Sequence, residues 1–178
     1  DHLIAAPKVE NGYCISDVEN DILKLVVLNR YERNAPPSVG FIKGFKLKKG
    51  AFAGSIAHDS HNIIAVGTND KDIVNSINAI IQNKGGLSAV DDSEVKTLPL
   101  PIAGLLSDEP VEIVASKYLE LDKKVKEYGS TLHAPFMTLA FMSLLVIPKL
   151  KLGDRGLFDV TKFDFTNLFV NEEAAIEL

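Results

Sequence analysis

The chain has 178 residues, 46% hydrophobic and 24% charged, a balance that allows a core of its own and argues against a disordered chain. Its net charge of −5 argues against a nucleic-acid surface, because phosphate binding needs a basic excess. The single cysteine, Cys14, excludes an internal disulfide and a thiolate metal cage, and no apolar run is long enough to span a membrane.

Residues 1–20 show weak periodicity among several turn formers and read as an irregular lead-in, so the domain proper is expected over 21–178. There "DILKLVVLNRYE" is β-branched and apolar without helical spacing, which predicts a strand. The prolines of "NAPPS" cannot donate to a ladder and interrupt it. "VGFIKGFKL", "AFAGSIA" and "NIIAVGT" supply further extended segments, short and closely spaced enough to pair as antiparallel hairpins. The period then changes. Ile73, Ile77, Ile80 and Ile81 form one stripe of a helix that Asn69 or Asp70 caps and Gly85-Gly86 stops.

"GLSAVDD" and "EVKTLPLP" read as another hairpin. A second helix is expected from about Ser107, with a stripe of Val111, Val114, Tyr118, Leu121 and Val125 and an end at Gly129. Two segments thus share an order of paired strands, polar cap, amphipathic helix and terminal glycine, which suggests a pseudo-duplicated architecture. "PFMTLAFMSLLVIP" fits a buried helix or a strand, "KLGDRGLFDV" a turn, and "KFDFTNLFV" a last strand. The expected fold class is α+β: layered, mainly antiparallel sheet with two main amphipathic helices.

No self-contained catalytic motif is present: no phosphate loop, no G-x-S-x-G elbow, no H-E-x-x-H. Cys14 as a nucleophile needs a positioned histidine, and His2 lies near the chain's start. Lys43, Lys46, Lys48 and Lys49 read as a solvated face. The concentrated chemistry is in "AHDSHNIIAVGTND", which holds two of the chain's four histidines. In a continuous strand His58 and His61 point to opposite faces, so they converge only if 58–62 is a turn, for which Asp59, Ser60 and Asn62 are suited. Three readings stay open, in falling order: a polar turn, a substrate-contacting loop, and a metal site of His58, Asp59 and His61.

"GFIKGFKLKKGAFAGSIAHDSHNIIAVGTND", followed by "LPLPIAGLLSDEP", "PFMTLAFMSLLVIPKLKLGDRGLFDV" and "LFV", closely resembles the C-terminal domain of the bacterial and archaeal adenine deaminases. The resemblance runs in order from about Asp21 to Val170. It departs at Tyr31, where the family usually has a histidine nearby, and near Lys46 and Gly54, where it has glycine and serine. The resemblance implies a cytoplasmic amidohydrolase of purine salvage that turns adenine and water into hypoxanthine and ammonia, using manganese or iron. The resemblance places the family's metal-binding histidines and acid/base residues in an N-terminal (β/α)₈ barrel that this sequence does not contain. The chain lacks an initiator methionine and is expected to be a fragment of something longer, inactive by itself and without a bound metal.

Within that frame His58 and His61 are assigned substrate contact or proton transfer, Asp59 orientation of an imidazole, and Ser60 and Asn62 substrate binding and loop support. The expected partners are the enzyme's own barrel and adenine, with no nucleic acid and no membrane, in a homo-oligomer. Phe136, Met137, Phe141 and Met142 are candidates for an exposed apolar docking patch, with a buried core helix as the alternative. The competing functions are a structural or oligomerisation domain with no part in chemistry, and an independent module for a small ligand or a metal.

Overall fold

The computed structural model describes residues 2–170, so residues 171–178 of the expected domain lie outside it. Strands and helices follow in the order β1 (Lys8–Glu10), β2 (Tyr13–Ile15), β3 (Ile22–Leu28), β4 (Ser38–Lys43), β5 (Ala51–Gly54), β6 (Ile63–Gly67), α1 (Asp70–Gln82), β7 (Gly86–Asp91) and β8 (Glu94–Pro99). Then come α2 (Val111–Glu127), α3 (Pro135–Phe141), β9 (Leu150–Gly153), β10 (Gly156–Asp159) and β11 (Asp164–Phe165). One six-stranded sheet with the order β4-β3-β6-β5-β7-β8 carries the molecule, and every pairing in it is antiparallel. The fold is the α+β layout that the sequence predicts.

Alternation along the strands sets which layer lies on which face. Ala51, Ala53, Ala65, Ile63 and Val26 point to one side and pack against Ile73, Ile77 and Ile80 of α1. The small alanines let the helix lie close to β5 and β6, while Phe52, Ile64, Val66, Leu23 and Leu25 fill the opposite side. That second face is covered by Leu121, Val125 and Tyr128 from α2 and its end, Phe136 and Leu139 from α3, and Leu152 from β9. Phe52 has no exposed surface, so truncating it to alanine costs about 3–5 kcal/mol. The two strand–strand–helix segments keep their shared order, but α1 and α2 lie on opposite faces of one sheet.

Several boundaries differ from the sequence reading, each for a local reason. The lead-in holds the β1–β2 hairpin, turned by Asn11 and Gly12 at φ of 50° and 81°, the positive values a two-residue Asn-Gly turn requires. Ser16 fastens it to the sheet, donating to the Gly67 carbonyl at 2.8 Å and accepting from the Lys24 amide at 2.8 Å. α2 starts at Val111 rather than near Ser107, because Pro110 is extended and holds the preceding residue out of helix. Val111 therefore stands 72% exposed, outside the buried stripe. Ile81 is likewise exposed, leaving Ile73, Ile77 and Ile80 as the buried stripe of α1. Residues 150–159 form two strands about a short turn, and the last strand is only β11. Pro135 at the first helical turn resolves the ambiguous apolar run as α3.

α1 ends where the αL residue is Lys84, not a glycine. The Gly85 amide donates to the Ile80 carbonyl and the Lys84 amide to the Ile81 carbonyl, the paired bonds of a Schellman turn. The residue in its left-handed position is Lys84, at φ of 60°.

Candidate functional site

The segment 55–62 connects β5 to β6 at one end of the six-stranded sheet. Its backbone closes on itself: the His61 amide donates to the Ala57 carbonyl at 2.7 Å, and the Asn62 amide to the Ser60 hydroxyl at 3.3 Å. His61 takes a left-handed φ of 54°, a conformation that histidine, asparagine and aspartate tolerate better than bulkier residues. The loop is therefore a turn, as convergence of its side chains requires.

Its residues divide into anchors and exposed groups. His58 is half-buried, its amide donating to the Ala140 carbonyl at 3.3 Å and its ring 4.8 Å from that of Phe141. α3 thereby fixes the imidazole's position. Asn62 is buried and its Oδ1 accepts from the Arg30 amide at 3.4 Å, tying the loop to the end of β3. Asp59 and Ser60 face solvent, and His61 is half-exposed. Ser60 and Asn62 both spend their side chains on backbone amides, the supporting part of their expected role. Among the described residues, Asp59 makes no hydrogen bond or ion pair with either imidazole.

A metal ion does not fit here. Manganese or iron needs several converging donors, and among the described residues no group of three His, Cys, Asp or Glu side chains is close enough to hold one. Among the described residues, His58, Asp59 and His61 do not come together as a three-donor set.

Sequence reasoning missed the scaffold under the loop. Arg30 follows β3, and its guanidinium donates through Nη2 to the Ala103 carbonyl and, at 3.4 Å, to the Tyr31 hydroxyl. It crosses Gly104, where a β-carbon would lie 1.7 Å from Nη1, so no side chain is admitted there. Ser55 donates to the Gly104 carbonyl at 2.6 Å and accepts from the Gly86 amide at 2.8 Å. The turn around 101–106 is locked to the sheet end that carries the loop. Glycine within "PIAGLL" is the signal that a close approach occurs there.

On the α1 side of the same end lies a cleft of about 480 Å³, whose floor includes Leu28, Ile63 and Ile80 and whose rim includes Arg30, Tyr31 and Lys84. Of the four apolar residues expected at an exposed patch, Phe136 is buried and is dropped from it. Met137 is exposed, and Phe141 and Met142 are half-buried.

The far end of the sheet carries a second polar cluster around a cavity of about 430 Å³ lined by Lys49, Asn69, Lys71, Asp72, Asp91 and Asp92 among others. There Asn69 caps α1 by accepting from the Asp72 amide at 2.8 Å, and its Nδ2 donates to the Asp72 carboxylate at 2.7 Å. Asp72 also accepts from the Asp92 amide at 3.0 Å, and Lys49–Asp91 and Lys71–Asp92 pair at 2.6 and 2.5 Å.

Residues 1–164 match the family model described as "Adenine deaminase C-terminal domain". The chain is 57% identical over 169 residues to an adenine deaminase of Methanosarcina mazei, covering 95% of this chain and 30% of the relative. To the adenine deaminase of Salinibacter ruber it is 49% identical over 169 residues, or 94% and 31% of the two chains. To that of Borreliella afzelii it is 50% identical over 151 residues, or 84% and 28%. The chain thus spans under a third of the length of these curated relatives.

Proposed function

Since this chain belongs to the family of adenine deaminase C-terminal domains, we propose that it serves as the part of a longer, cytoplasmic purine-salvage enzyme that closes the site where adenine and water become hypoxanthine and ammonia. The observation that carries this reading is the loop at 58–62, held from two sides by α3 and β3 while its two imidazoles and a carboxylate have no side-chain hydrogen bond or ion pair among the described residues. A turn needs none of those groups to form; glycine or asparagine would suffice.

In this proposal the metal belongs to an amidohydrolase barrel elsewhere in the enzyme. Manganese or iron there would supply an activated water. The domain's own contribution is to bind and to move protons. His58, its ring fixed against Phe141, can donate to or accept from a ring nitrogen of adenine. His61, half-exposed beside it, can carry the proton that the departing amino group needs to leave as ammonia. Asp59 can orient either imidazole once substrate draws the loop in, and Ser60 and Asn62 hold the turn.

His58→Ala and His61→Ala in the full-length enzyme should each lower adenine turnover by about 10²–10⁴-fold, the usual worth of a general acid or base. Circular dichroism and metal content should not change. Near-full activity in both variants would hand the domain to the alternative, a structural or oligomerisation role. The present chain alone should not turn over adenine, even with manganese added.

A further inference from the structure

The cleft beside the loop shows three features that a satisfied surface would not. Two cations, Arg30 and Lys84, line it and no acid does, in a chain whose net charge is −5. Arg30 Nε is buried with no hydrogen-bond partner among the described residues. Lys84 sits at the left-handed position of the Schellman turn, where glycine is the unstrained residue.

The negative end of the α1 dipole accounts for a cation in this corner. It does not account for placing that cation at the one residue of the turn where a β-carbon is costly, since a basic residue in the last helical turn would serve and α1 has none there. A lysine in a left-handed backbone conformation beside a cavity points to use of its side chain. Among the residues that line it, Tyr31 is 66% exposed and Ile81 51%. A free carboxylate would answer the two cations but leave this apolar rim bare, so the occupant carries both a negative group and an apolar body.

We infer that this cleft is the seat of an acidic side chain flanked by apolar residues, supplied by the part of the full-length enzyme that lies outside this domain. The relatives leave about 70% of their length unmatched by this chain (100% less the 30% covered), which is ample to provide it. Seating there sets the loop's position, because the Arg30 amide holds Asn62 and its guanidinium holds the 103–104 turn. The inference rests on the reading that the chain works within a longer enzyme.

The test uses that full-length enzyme. Zero-length carbodiimide coupling followed by peptide mass spectrometry should join the Lys84 amine to an Asp or Glu outside the domain. Hydrogen exchange at amides 80–85 and 103–106 should quicken at least tenfold in Lys84→Glu, while Lys84→Gly, which relaxes the backbone at φ of 60°, reports whether the turn itself still forms. Coupling of Lys84 only within the domain or to a second copy of it overturns the inference. Exchange in Lys84→Glu that matches the wild type, with no outside coupling, overturns it too. Turnover of the His58 and His61 variants decides the loop's role separately, so outside coupling with unimpaired histidine variants keeps the seat and removes the catalytic reading.

Discussion

At the end of the sheet formed by Gly50, Gly67 and Asp91, Asp72 is 3% exposed yet fully answered, by the Asn69 amide group and the Asp92 backbone. At the opposite end, His58, Asp59, His61 and Lys84 have no ion pair among the described residues, and Arg30 Nε has no hydrogen-bond partner. Both ends surround cavities of similar volume. The first cluster is explained by the fold that contains it: it caps α1 and ties β7 to the helix. The second is more polar than its turn requires. A cavity alone therefore does not mark a site; charge left without an internal answer does.

The comparison breaks most visibly if the answered end proves dispensable. Asp72→Ala removes the acceptor for the Asp92 amide and the partner of the Asn69 cap, and should destabilise by about 2 kcal/mol in urea or guanidinium titration. A change below about 0.5 kcal/mol would mean that this network is ornamental.

The answered end has a flaw, the Tyr128 hydroxyl, buried beneath Lys49 and Gly50 with no hydrogen-bond partner among the described residues. Burial, helped by the carboxylates of Glu94 and Asp91, pushes this phenol from 10.0 up to about 12. A folded-state value above the unfolded one stabilises below pH 10.0, and that contribution fades as pH climbs from 10.0 to about 12. Alkaline unfolding should accordingly shift upward in Tyr128→Phe, which has no proton to lose and no hydroxyl to strand. An unchanged alkaline midpoint would place the weak point elsewhere.

At the unanswered end the stability effects should be small or inverted. Lys84→Gly should stabilise the fold by roughly 0.5–1 kcal/mol, since glycine accepts the left-handed turn freely. Loss of stability in that variant would show that the lysine already has an internal partner. Asp59→Ala, exposed and unpaired, should move stability by less than about 0.5 kcal/mol while altering adenine turnover in the full-length enzyme. A large thermal shift there would erase the distinction between the two ends.

Much of this was readable in the chain. The Asn69 cap, three of the four isoleucines of the α1 stripe and the three hairpins follow from local chemistry, and the structure bears them out, with Ile81 exposed. "ENGYC" carried a strong hairpin signal, Asn-Gly between extended residues, that the loose composition around it concealed. Other features were not available to local reasoning. Arg30 and Ala103 lie 73 residues apart, and nothing near either predicts that a guanidinium will cross Gly104. The strain at Lys84 depended on which residue after α1 turned left-handed, and two adjacent glycines drew attention one position too far along. The loop's residues were found from composition, but their division into anchors and free groups came only from α3 and β3 packing against it.

The strand order has a consequence for how quickly the molecule assembles. β3–β4, β5–β6 and β7–β8 each join strands adjacent in sequence, so three ribbons can close independently on the microsecond scale typical of hairpins. Only β3–β6 and β5–β7 must then find each other across longer spans, and the second of these is bridged by α1, itself a local nucleus. A sheet of six strands would ordinarily be slow to search for its partners, and here that search is reduced to two joins between preformed pieces.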